Sequence, residues 1–134
     1  MLLPITALTA AICAIMLLIT AVDTVRNRMR AKAAFGDGGD ARLVSASRSH
    51  GNLAEHAPLA IIMIGLLEQS GAHHWVLTGV ACLFLFARAM HIVGVYAPMS
   101  TTPPVPRQIG VIGTWISYAI LIGWTLYVVV TVNG

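Results

Sequence analysis

The run "LLPITALTAAICAIMLLITAV", residues 2–22, carries no charged side chain over a length that can cross a bilayer. A spanning helix needs about 20 mostly apolar residues. In hydrocarbon every backbone N–H and C=O must be paired within the protein, so an unbroken apolar run of this length has to be helical. Three more runs follow: "LAEHAPLAIIMIGLLEQSG", "WVLTGVACLFLFARAMHIVGVY" and "IGVIGTWISYAILIGWTLYVVVTV". Only 10% of the residues are charged and 57% are hydrophobic, whereas soluble domains carry roughly 25% charged residues. The expectation is one all-α integral membrane domain over residues 1–134, an up-down four-helix transmembrane bundle. Its helices should cover about 2–24, 43–69, 74–97 and 107–132.

An N-terminal apolar run also raises the reading of a cleaved leader. No basic stretch precedes this one, and it is longer than a usual leader core, so it reads as a permanent helix. Glycine and proline mark the connections: "GDGGD", "SGAHH" and "APMSTTPPVPRQ". "GDGGD" lacks the lysine and strand context of a phosphate loop, and reads as a flexible turn. Arg26, Arg28, Arg30, Lys32 and Arg42 fall between the first and second helices, and Arg107 between the third and fourth. The remaining connection has neither lysine nor arginine. The positive-inside rule then puts both termini outside and the first and third loops in the cytoplasm. The formal net charge of +3 is thus a topology signal and implies no nucleic-acid partner.

The second run is apolar only from Ala57 onward, so its helix should begin before the hydrocarbon does. Arg48, Asn52 and Glu55, spaced four and then three apart, share one helix face in those first turns. Arg88 and His91, three apart, share a face near the cytoplasmic end of the third helix, and Arg107 opens the fourth from the same side. Such groups at helix ends can snorkel or pair internally. A charge inside a span costs roughly 2.5–3.5 kcal/mol on insertion scales and usually faces protein or a water-filled cavity. The set also suits a zwitterion with several carboxylates: arginines fork onto carboxylates, Glu55 takes an amino group and Asn52 reads a polar head.

The other candidates are weaker. His50, His56 and His91 lie near the polar depth, and His73 and His74 in the opposite loop, but their spacing fits no zinc motif and no metal site is expected. Haem ligation by His91 lacks a partner on another helix. Cys13 and Cys82 sit in apolar runs, so buried small hydrophobes are expected rather than a disulfide framework.

The pattern Arg48-x-x-x-Asn52-x-x-Glu55-x-x-Pro58 resembles the second-helix signature of the MAPEG family, the membrane-associated proteins in eicosanoid and glutathione metabolism. Arg88-x-x-His91-x-x-Gly94, a proline-rich loop and Arg107 are similar to that family's third helix and third loop, and "VRNRMRAKAAF" to the end of its first helix. The likeness covers essentially the whole chain, and "GDGG…RSHGNLAEHAPLAI" looks nearest to a small bacterial branch. The resemblance implies a homotrimer in a bacterial inner membrane, with glutathione as cosubstrate held between subunits near the cytoplasmic side. It places Arg48, Asn52 and Glu55 on glutathione, Arg26 on the glutathione of the adjacent subunit, and Arg107 beside the thiolate. It adds Arg88, His56, Tyr96 and His91 to the site, His91 as a group that can polarise the substrate. The sequence departs from the family pattern in several places. His56 and His91 stand where some members carry tyrosines, Tyr96 sits one position past a family tyrosine, and the third loop carries extra residues.

The leading expectation is therefore a glutathione S-transferase or peroxidase acting on a hydrophobic electrophile or lipid hydroperoxide, the chemistry being carried by the bound thiolate. The alternatives are a non-catalytic binding or scaffold protein on the same fold and a small transporter using Glu55. Arginines on its face, which hold Glu55 ionised, fit the last less well.

Overall fold

The computed structural model describes residues 3–98 and 101–133, which form four helices: α1 Pro4–Ala31, α2 Ala41–Gln69, α3 His74–Tyr96 and α4 Val105–Asn133. The expected start of the first helix at residue 2, and Met99 and Ser100 of the third connection, lie outside the described residues. Consecutive helices pack antiparallel, but the bundle is not a closed square. α2 and α3 form its centre, α2 touching α1, α3 and α4, while α1 and α4 do not pack on each other among the described residues. Three helices, α1, α3 and α4, are long and apolar enough to cross a membrane. The first half of α2 is too polar to match them.

Helix α1 runs to Ala31 instead of ending near residue 24, so Arg26, Arg28 and Arg30 are helical and not part of the connection. Arginine, methionine and alanine are good helix formers, and nothing stops the helix where its apolar run stops. It ends at Lys32 in the left-handed region, and the turn beyond uses Gly36, Gly38 and Gly39 at positive φ. Asp40 then caps α2, accepting from the Leu43 N–H at 2.8 Å and from Arg30 Nη2 at 2.7 Å. That N–H and the Arg30 guanidinium hold the Asp40 carboxyl below the usual carboxylate range.

The core is a stripe on α2, Leu53, Ala57, Ala60, Ile64 and Leu67, packed against Leu77, Val80, Ala81 and Phe84 of α3. The alternating steps of four and three keep one face of α2 toward α3. Cys13 is buried as expected, but Cys82 is exposed on the outer side of α3; a cysteine in an apolar run is not thereby in the core.

At the far end of the bundle α1 starts at Leu3 and Pro4 without a side-chain cap of its own. Glu68, from the last turn of α2, caps it instead. Its carboxylate accepts from Ile5 N and Thr6 N, each at 2.8 Å, and from Thr6 Oγ1 at 2.6 Å. Free N–H groups in a helix's first turn need acceptors, and an anion there also suits the helix dipole. Glu68→Ala should therefore destabilise the bundle by about 1–3 kcal/mol, read as a lowered melting temperature in detergent, while an exposed neighbour such as Gln69→Ala changes little.

Candidate functional site

Because α2 begins at Ala41, well before its apolar half, its early turns are free to carry Arg48, Asn52 and Glu55 on one face. These three, with Ser47 and Gly51, line one wall of a polar cleft of about 290 Å³; His91 and Val95 of α3 and Arg107 of α4 line the other. The cleft lies at the end of the bundle that holds the basic residues. Arg48 and Glu55 are both exposed and form no ion pair with each other. Two arginines and one carboxylate thus face a shared space.

The opposing wall depends on glycines. A Cβ added at Gly94 would lie 2.5 Å from Arg107 Cα, and one at Gly110 would lie 2.5 Å from the His91 backbone nitrogen. Farther along, Gly113 faces Ala87. Side chains would hold α3 and α4 apart at these levels; glycine lets the backbones touch. That contact sets the separation of His91 and Arg107, which lie on different helices.

Arg88 does not line the cleft. It is 2% exposed and links three helices behind the cleft wall. Its Nη1 donates to Asn52 Oδ1 at 2.6 Å, and its Nη2 donates to the Gly110 carbonyl at 3.1 Å and to the Thr114 hydroxyl. The Thr114 hydroxyl in turn donates to the Gly110 carbonyl at 2.7 Å, which leaves its lone pairs for the arginine. Among the described residues no carboxylate lies within ion-pairing distance of Arg88, and its Nε has no partner.

The remaining candidates lie elsewhere. His56 faces back along α2: its Nδ1 lies 2.8 Å from the Asn52 carbonyl, and its ring stands edge-on to Tyr118. A carbonyl only accepts, so Nδ1 carries the proton. Tyr96 donates to Asp23 Oδ2 at 2.5 Å and belongs with Arg26 to a separate groove along α1. Val95, not Tyr96, occupies the cleft wall. Ser47, Gly51, Val95 and Thr114 are site or support residues that sequence reasoning missed. Small or neutral, they stand out only once the helices are docked.

Arg107 has a second neighbourhood. It also borders an outward-facing groove of about 500 Å³ lined by Thr101, Pro103, Gln108, Val111, Ile112 and Trp115. A polar cleft and a largely apolar groove therefore meet at one guanidinium.

The sequence pattern of the MAPEG family matches residues 6–127. The chain is 33% identical over 118 residues to the inner membrane protein YecN of Escherichia coli K12, spanning 88% of this chain and 87% of that protein. The same values hold for YecN of Escherichia coli O6:H1 strain CFT073. No solved structure matches the chain at a significant level.

Proposed function

This chain belongs to the MAPEG family, and from that membership and the chemistry of the cleft we propose that it binds glutathione there and uses the thiolate on a hydrophobic second substrate. The family includes glutathione transferases and peroxidases, while the name of the Escherichia coli relative states no activity. Glutathione carries two carboxylates, one ammonium and a thiol. Arg48 and Arg107 are suited to the carboxylates and the thiolate, Glu55 to the ammonium, and Asn52 to a polar group between them.

The observation that carries the reading is the position of Arg107 on both the polar cleft and the apolar groove. A thiolate held by this cation sits at the boundary where a lipid-soluble molecule arrives. A nearby cation favours the thiolate over the thiol, and the thiolate is the nucleophile. Attack on a carbon electrophile forms a thioether and expels the leaving group. Attack on a hydroperoxide transfers one oxygen to sulfur and releases the alcohol, and a second glutathione then gives the disulfide and water. His91, on the same cleft, can polarise the leaving or accepting group.

Arg26 fits a homotrimer. It is exposed beside Asp23 and Tyr96 and does not line its own cleft, so in this reading it serves the glutathione of a neighbouring subunit. The basic end faces the cytoplasm by the positive-inside rule, where glutathione is available. Non-catalytic glutathione binding is the second reading. It is favoured by the apolar Val95, which leaves α3 without a hydroxyl on the cleft.

Calorimetry on detergent-solubilised protein tests the proposal. Saturable glutathione binding is expected, weakened about tenfold or more by Arg48→Ala and by Glu55→Ala, each of which removes a charged partner. Absence of binding at millimolar glutathione would sink it.

A further inference from the structure

The family resemblance puts Arg88 in the ligand site, yet its guanidinium does not line the cleft and donates instead to Asn52, which does. A guanidinium has donors only, so the Asn52 atom that meets Arg88 has to be its oxygen. The amide oxygen is thereby engaged, and both Nδ2 hydrogens remain for the side of Asn52 that lines the cleft. The same contact makes the amide a stronger donor, because a cation at its oxygen polarises the group in a low-dielectric interior. Gly110 and Thr114 complete the cradle and keep the guanidinium plane from turning.

We propose that Arg88 is a positioning residue that holds the Asn52 amide with its NH₂ group toward the cleft, so that the cleft accepts a carboxylate or carbonyl oxygen, and not an ammonium, at that point. The proposal rests on the reading of the cleft as a glutathione site. It gives the ligand a direction. Arg48 and Asn52 form the donor end on α2, and Glu55, nearly one turn further on, is the acceptor end. Arg88 touches no ligand and acts through Asn52 alone.

Asn52→Asp separates this role from simple packing. The new carboxylate still accepts from Arg88 and supplies it with a counter-charge, so the variant should melt no lower than wild type. It offers the cleft no donor, so glutathione affinity measured by calorimetry should fall about tenfold or more. A packing role predicts the opposite, with stability shifted and binding kept. Thermal melts of Asn52→Asp, Arg88→Met and the double variant form a cycle that needs no ligand. Aspartate, at worst neutral beside Arg88, should lower the melting temperature once Arg88 is gone and its carboxylate has no cation; where Arg88→Met does not fold, Arg88→Gln, which keeps a donor but no charge, replaces it. Wild-type protein that fails to bind glutathione would refute the glutathione reading and leave the cycle to decide the contact. Additive effects in the cycle overturn the proposal, and so does Asn52→Asp protein that binds glutathione within twofold of wild type.

Discussion

Alanine at Gly110 is expected to unfold or badly loosen the α3–α4 half of the bundle, although it adds a single methyl group. The added carbon would lie 2.5 Å from the His91 nitrogen and 2.6 Å from both His91 Cα and Cβ. Two of those atoms are backbone and cannot rotate aside. The helices must separate, and the nearby contact at Gly94 would open with them, since its would-be Cβ lies 2.5 Å from Arg107 Cα. Overpacking typically costs 1–3 kcal/mol and more where backbone must move, so a loss of about 3 kcal/mol is expected. The site should suffer with the fold. His91 and Arg107 would draw apart, and Arg88 would lose its seat on the Gly110 carbonyl. Gly79→Ala is the control: nothing lies within 4 Å of its would-be Cβ, and alanine is the better helix former by up to about 1 kcal/mol. Thermal melts in detergent should show the first variant far below wild type and the second at or above it. Equal melting of the two would remove the close helix contact from the account of the site.

The same residues show how far the sequence alone could be read. Helix number follows from the lengths of the apolar runs, the up-down order from the short connections, and the placement of Arg48, Asn52 and Glu55 on one face from helical spacing, all of which depend only on neighbours along the chain. The end of α1 does not. Apolar composition marks the extent of hydrocarbon, but the helix continues while its residues favour it, and so Arg26 to Arg30 belong to α1. Glu68 is a lone carboxylate at the end of an apolar run until α1 is docked and that carboxylate is found to accept from the first N–H groups of the helix. Arg88 and Tyr96 are further cases of the same kind. Their side-chain directions depend on the docking of α2, α3 and α4 and on the approach of Asp23, both of which join residues far apart in sequence. What could be read was chemistry on a single helix; which of those groups face the cleft was decided between helices.

Replacing Arg107 should separate binding from chemistry. If this guanidinium holds the thiolate, Arg107→Ala keeps Arg48, Asn52 and Glu55 on the bulk of glutathione, and affinity falls modestly. The rate should fall much further. An unperturbed cysteine thiol has a pKa near 8.5, and a cation beside it shifts the balance toward thiolate at neutral pH. Removal of one preorganised charge-stabilising donor typically costs 10²–10³ in turnover, and a drop of about 10²-fold in kcat is expected here. The pH dependence carries the sign. With Arg107 present the bound thiol ionises below its ordinary pKa, so the wild-type rate should be flat above neutrality. In the variant that pKa returns upward, and the rate should climb as pH rises through roughly 8–9. Thiolate absorption of bound glutathione, titrated in the ultraviolet, reports the same shift without any second substrate. Arg107→Lys keeps a charge but loses the planar fork, and should fall between the two. A variant that retains the wild-type thiolate titration and turnover would show that Arg107 serves the boundary between cleft and groove in some way other than by holding the sulfur.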